Sequence, residues 1–188
     1  MQKAIRFFFF SLALTSCQIS GLTSGYSHLS KQEQARVIKY KGNIAEIQDY
    51  SKIYAITPEQ VKTYLSVHNK VIVYDYTPWC KSKYCVSPTL LANQCKANKV
   101  DLLVISNVYD DVFRAVNESF PLLIIDTAAL KTKWRGKYIE KFYFSLIGKY
   151  QKDIDYAGYH YFQNGNYIKS FKDFKDIGRY LINEDVSK

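Results

Sequence analysis

Cys80 and Cys85 are the residues of this chain best suited to chemistry. Two thiols brought together form a disulfide, and a disulfide that reopens exchanges electrons with other thiols. Lys81 and Lys83 flank Cys80 and favour its thiolate. Trp79 precedes it, placed either to shield the thiol and meet a partner or to pack beneath the loop. Asp75 lies five residues upstream, as a proton relay or as an ordinary paired acid at a strand end. On a helix, five positions amount to about 500° of rotation, which would turn the two sulfurs apart. Pairing therefore requires residues 80–86 to form a loop. Three readings stay open: a redox pair with Cys80 as nucleophile and Cys85 as resolving thiol, a static bridge, and two free thiols. Cys95 follows Leu91 by one helical turn and reads as a small core residue. A site for metal would lack a fourth ligand, because His28, His68 and His160 stand at no ligand spacing. His160 reads as a core or surface histidine. No metal and no organic cofactor is expected.

The elements around the cysteines are legible. Val71, Ile72 and Val73, continued by Tyr74 and Tyr76, predict a buried strand. Thr77 and Pro78 break it. Ser87-Pro88 starts a helix running to about Asn98. A thiol between that strand end and helix start meets backbone N–H groups and a positive dipole end. Upstream, Ser30 to Glu33 is a capping box that predicts a short helix to about Lys41. Lys52 to Ile56 reads as a first, edge strand. Thr57 to Gln60 is a second capping box, opening a helix whose Val61, Tyr64 and Leu65 repeat at helical spacing. Downstream come strands at 100–105 and 121–126, with a helix at 110–119 between them and a basic helix at 138–147. Strands at 158–162 and 167–171 join through Asn164-Gly165, a strong hairpin signal. A final helix covers 172–183. This alternation predicts an α/β sandwich whose parallel core ends in an antiparallel hairpin.

Two stretches, Val71 to Cys80 (VIVYDYTPWC) and Tyr159 to Phe171 (YHYFQNGNYIKSF), resemble the thioredoxin-like proteins. The likeness covers the chain from about Ile53 onward. It implies a thioredoxin-like three-layer sandwich, with the strand and helix at 121–147 as an inserted element. It implies thiol–disulfide exchange through Cys80 and Cys85, supported by Trp79, Pro78 and Asp75. Three positions depart from the family pattern. The cysteines have four residues between them rather than two. Tyr74 stands where the family has a buried acid, with Asp75 one step later on the other face of the sheet. The place of the family's cis-proline falls at Ala157 and Gly158.

The N-terminus sets the expected location. Lys3 and Arg6 precede the apolar run Phe7 to Leu14, which is too short to span a membrane and fits an export signal. Leu14-Thr15-Ser16-Cys17 resembles a bacterial lipobox, which implies cleavage before Cys17 and palmitate-type acylation of it. The alternative is an ordinary signal peptide with Cys17 incidental. Removing residues 1–16 would lower the formal charge of +9 by two. An exported chain disfavours nucleic acid as the partner of that charge. The basic run Lys131, Lys133, Arg135, Lys137 and Lys141 either faces anionic lipid or is a solvated face.

The expected divisions are a signal peptide at 1–16, a lipidated flexible tether at 17–29, a helical extension at 30–52 and the thioredoxin-like domain at 53–188. The expected protein is anchored in the bacterial cell envelope and faces the periplasm, with the membrane and protein thiols or disulfides as partners. The alternative function is a non-catalytic lipoprotein, a binding or scaffold module stapled by a Cys80–Cys85 disulfide.

Overall fold

The computed structural model describes residues 21–186, with side chains as far as Tyr180. The stretch expected to direct export and Cys17, the expected lipid site, lie outside the described residues. A seven-stranded mixed sheet forms the centre. Its strands in chain order are β1 (Val37–Lys39), β2 (Ile53–Ile56), β3 (Lys70–Tyr76), β4 (Asp101–Ser106), β5 (Leu122–Ile125), β6 (Tyr159–Gln163) and β7 (Asn166–Phe171). Across the sheet the order is β1-β2-β5-β4-β3-β6-β7. The first five of these run parallel; β6 pairs antiparallel with β3, and β7 pairs antiparallel with β6. Among the described residues, five α-helices accompany them: α1 (Lys31–Ala35), α2 (Pro58–Val67), α3 (Pro88–Ala97), α4 (Arg135–Ile147) and α5 (Phe174–Val186).

The near-continuous apolar runs of β2, β4 and β5 follow from burial on both faces, as a parallel sheet demands. On one face, Ile72, Tyr74, Val104 and Tyr161 pack with Leu91 and Cys95 of α3 and Ile177 of α5. On the other, Val71, Val73 and Ile105 pack with Val61 and Leu65 of α2 and Tyr138, Phe142 and Tyr143 of α4. Helices on both faces of the sheet give three layers.

Local chemistry explains the element boundaries. The Thr57 and Gln60 side chains cap α2 reciprocally, and Ser30 and Glu33 do the same for α1. The β6–β7 turn has positive φ at both Asn164 and Gly165, the geometry that Asn-Gly favours.

Three expectations need correction. The helix from Ser30 stops at Ala35, because Val37 and Ile38 are β-branched and pair instead with Ile53 and Tyr54. That pairing makes β1 the edge, so β2 is an interior strand. At 110–119 there is only a 3-10 turn, Val112–Ala115. Asp111 enters it with φ of 59°, and the Asn117 carboxamide oxygen accepts from the Ser119 and Phe120 amides, which closes the turn before a helix can propagate.

The described part of the expected tether, 21–29, is docked rather than free. Thr23 bridges to Trp134, the Arg135 amide donates to the Leu22 carbonyl at 2.9 Å, and the Tyr109 amide donates to the Ser24 carbonyl at 2.7 Å. His28 Nδ1 meets Asp110 Oδ1 at 2.6 Å. Gly25 has φ of +75°, and a Cβ there would stand 2.6 Å from the Asp110 carboxylate, so only glycine fits.

Candidate functional site

Cys80 and Cys85 are joined in a disulfide, with Cα atoms 6.0 Å apart, a usual span for such a bridge. Residues 80–86 form a loop between β3 and α3, the conformation that pairing requires. Both cysteines are half-buried. Cys80 hangs from the strand end, its amide donating to the Thr77 carbonyl at 3.0 Å across the turn at Pro78 and Trp79. Cys85 is only three residues from the start of α3, so it, rather than Cys80, is the nearer of the two to the helix start in sequence.

Two tyrosines grip the backbone on either side of Cys85. The Tyr159 hydroxyl donates to the Tyr84 carbonyl at 2.6 Å, and the Tyr74 hydroxyl donates to the Val86 carbonyl at 3.0 Å. Their rings stack with centroids 4.7 Å apart. Tyr74, at the place of the acid in the family pattern, is therefore a loop clamp. Tyr159→Phe is expected to cost about 1 kcal/mol, the net worth of one such hydrogen bond. It should also speed reduction of the disulfide by dithiothreitol. Thermal unfolding and thiol release measure the two effects, and no change in either would show that the hydroxyl is idle.

Beside the loop lies a cavity of about 540 Å³, lined by Asp75, Thr77, Asn107, Arg135, Glu140 and Lys152 among others. It opens at the carboxyl ends of β3 and β4 and the start of α4, where α/β sheets commonly bind ligands. Asn107 is its hub. Its Nδ2 donates to Asp75 Oδ1 at 2.6 Å and to Thr77 Oγ1 at 2.9 Å, and its Oδ1 accepts from Arg135 Nη2 at 2.8 Å. Arg135 Nη2 also donates to Thr77 Oγ1 at 3.1 Å. Thr77 thus joins this network to the Cys80 amide. The Arg135 guanidinium lies over the Trp79 ring, 5.1 Å from its centroid. Trp79 does not pack beneath the loop; it is 42% exposed. Nor is Arg135 part of a freely solvated basic face.

Asp75 faces the α4 side of the sheet, opposite Tyr74. Burial pushes its carboxyl up to about 6, against the opposing pull of Asn107 and Arg135. The buried Tyr143 hydroxyl lies close to the same carboxylate and makes no hydrogen bond of ordinary geometry. His160, on β6, stacks obliquely against Tyr143 with centroids 4.8 Å apart. Its Nδ1 pairs with Ser170 Oγ at 2.8 Å, its Nε2 has no partner, and burial pulls its pKa down to about 3. Cys95 is buried and free, its thiol pushed up to about 12 by burial.

Neither a family model nor a curated protein nor a solved structure matches this chain. The site must therefore be read from its own atoms. Among the described residues, no three His, Cys, Asp or Glu side chains gather as a metal site would need. Sequence reasoning had Cys80, Cys85, Trp79, Pro78 and Asp75, and the structure brings them to one corner. It did not single out Asn107 and placed Arg135 only in the basic run; the two reach Thr77 from 30 and 58 residues away. No local pattern announces either residue.

Proposed function

We propose that this is an exported thioredoxin-like protein, held to the membrane by a lipid on Cys17, whose Cys80–Cys85 disulfide exchanges with protein thiols. The observation that carries the exchange reading is a half-buried disulfide at the carboxyl end of β3, linked through Thr77 and Asn107 to Asp75, a carboxyl raised to about 6. The order β2-β5-β4-β3-β6-β7 supports the thioredoxin-like reading: the cysteines follow a central strand, and the last hairpin docks antiparallel on it. β5 and α4 are then the inserted element.

A substrate thiolate attacks Cys80 Sγ. A mixed disulfide forms as the Cys80–Cys85 bond breaks, and the electron pair leaves on Cys85, which takes up a proton. A second substrate thiol attacks the mixed disulfide, releasing an oxidised substrate and the Cys80 thiolate. The protein gains two electrons and the substrate loses two. The reverse sequence reduces a substrate disulfide.

A second reading is a static staple in a non-catalytic lipoprotein. The tyrosine clamp on Cys85 favours it, as does the lack of a proline at Ala157 and Gly158, where the family pattern has one. Incubating the oxidised protein with a dithiol peptide separates the two readings. Exchange consumes peptide thiol and opens Cys80–Cys85; a staple leaves both unchanged.

A further inference from the structure

We infer that the face around Gly21 seats on an anionic bilayer surface, with Trp79 and Trp134 at headgroup level; this rests on the lipid-anchor reading of Cys17. Leu22, Trp79 and Trp134 are 52%, 42% and 50% exposed, large apolar groups left in water on one side of the domain. They are neighbours. The Leu22 carbonyl accepts from the Arg135 amide, the strand-like bridge from Thr23 ends on Trp134, and Gly21 sits against Trp79 and Arg135. These are the only two tryptophans of the chain, and both fall here.

The length of chain beyond the structure fixes the occupant. From Cys17 to Gly21 is four residues, which reach at most about 14 Å even when fully extended. Since the chain from Gly21 onward is docked, a lipid on Cys17 holds this face, and no other, within that distance of the membrane. The chemistry of the face suits lipid. Tryptophan rings belong at the membrane–water interface. Lysines bury their stems there and present ammonium to anionic headgroups. Lys133 lies over the Trp134 ring, 5.8 Å from its centroid, and Lys81 and Lys137 are exposed beside Trp79 and Trp134 in the chain. The acids of the neighbouring cavity are Glu140 and Asp75, the latter tied to Asn107. Seated in this way, Cys80 meets its partners at the headgroup layer, which selects thiol proteins attached to or embedded in the same membrane.

The test uses the full chain purified from membranes and reconstituted in vesicles of phosphatidylcholine and phosphatidylglycerol, with or without brominated acyl chains. Tryptophan emission reports the seat, and the mass of the N-terminal peptide reports acylation. The expected result is an acylated peptide, blue-shifted emission, and emission roughly halved by bromine, as rings at the interface require. Trp79→Phe and Trp134→Phe each leave one quenched ring. Equal emission with and without bromine in an acylated chain overturns the seat and leaves the anchor. Quenching in a chain without acyl mass supports the seat and removes the anchor. Emission that shifts with protein concentration and ignores lipid assigns the patch to a second copy and overturns the proposal.

Discussion

Cys80→Ser is expected to abolish thiol–disulfide exchange, a loss on the order of a thousandfold, as for removal of any attacking nucleophile. Cys85→Ser is expected to do something different: it leaves Cys80 able to join a substrate sulfur but unable to release it. A mixed disulfide then accumulates on Cys80 and is visible by non-reducing electrophoresis and mass spectrometry. The asymmetry follows from the fixing of Cys85 by the Tyr74 and Tyr159 clamp, whereas Cys80 hangs from a single turn at Thr77. Equal trapping on either cysteine would remove the assignment of roles. Both substitutions also open a six-residue ring, which by chain entropy costs about 2 kcal/mol. Unfolding of each variant must therefore be measured beside its activity. A Cys80→Ser protein that is folded and still exchanges would show that the chemistry lies elsewhere.

Asp75→Asn is expected to stabilise the protein at pH 7.5, by an amount on the order of 2 kcal/mol. The carboxyl is held up at about 6 by burial, above its ordinary value of 3.8. Between those limits the native state keeps a proton that the unfolded chain has released. Stability from this group is full below about pH 4 and falls as pH rises through 6. The variant keeps an acceptor for Asn107 and carries no charge to bury, so its advantage is complete above pH 7 and gone at pH 4. His160 acts in the opposite sense. Its pKa is pulled down from 6.5 to about 3, so its contribution is full above 6.5 and is lost as pH falls toward 3. Because both proteins share His160, the difference between their melting curves isolates Asp75. A variant less stable than the parent at pH 7.5 would mean that the Arg135 attraction outweighs the cost of burial.

The fold was largely legible because its signals are local. The capping boxes at Thr57 and Ser30, the Asn164-Gly165 turn and the β-branched run before Tyr74 each act over a few residues. Two of the errors fell where partners come from far away, and a third where a local side chain competes with the helix. Val37 and Ile38 become a strand only because Ile53 and Tyr54 lie beside them. The insertion of β5 between β2 and β4 depends on crossovers that no local pattern encodes. Residues 110–119 carry helical spacing, but Asn117 gives the backbone better partners than a helix would. The candidate site divides in the same way. Its cysteines, Trp79 and Asp75 are contiguous in sequence. Its hub, Asn107, and its cation, Arg135, arrive on other elements. Tyr74 and Tyr159 were legible as strand residues but not as clamps, because their acceptors are backbone carbonyls of the loop.

The exchange account rests on a disulfide poised to open. Its most direct test is the reduction potential of Cys80–Cys85, measured by equilibrating the full chain with dithiol and glutathione buffers and trapping free thiols with an alkylating agent. The account predicts a value above about −270 mV, in the range of thiol–disulfide oxidoreductases. A value below about −300 mV, as structural bridges have, would contradict it and favour the static staple.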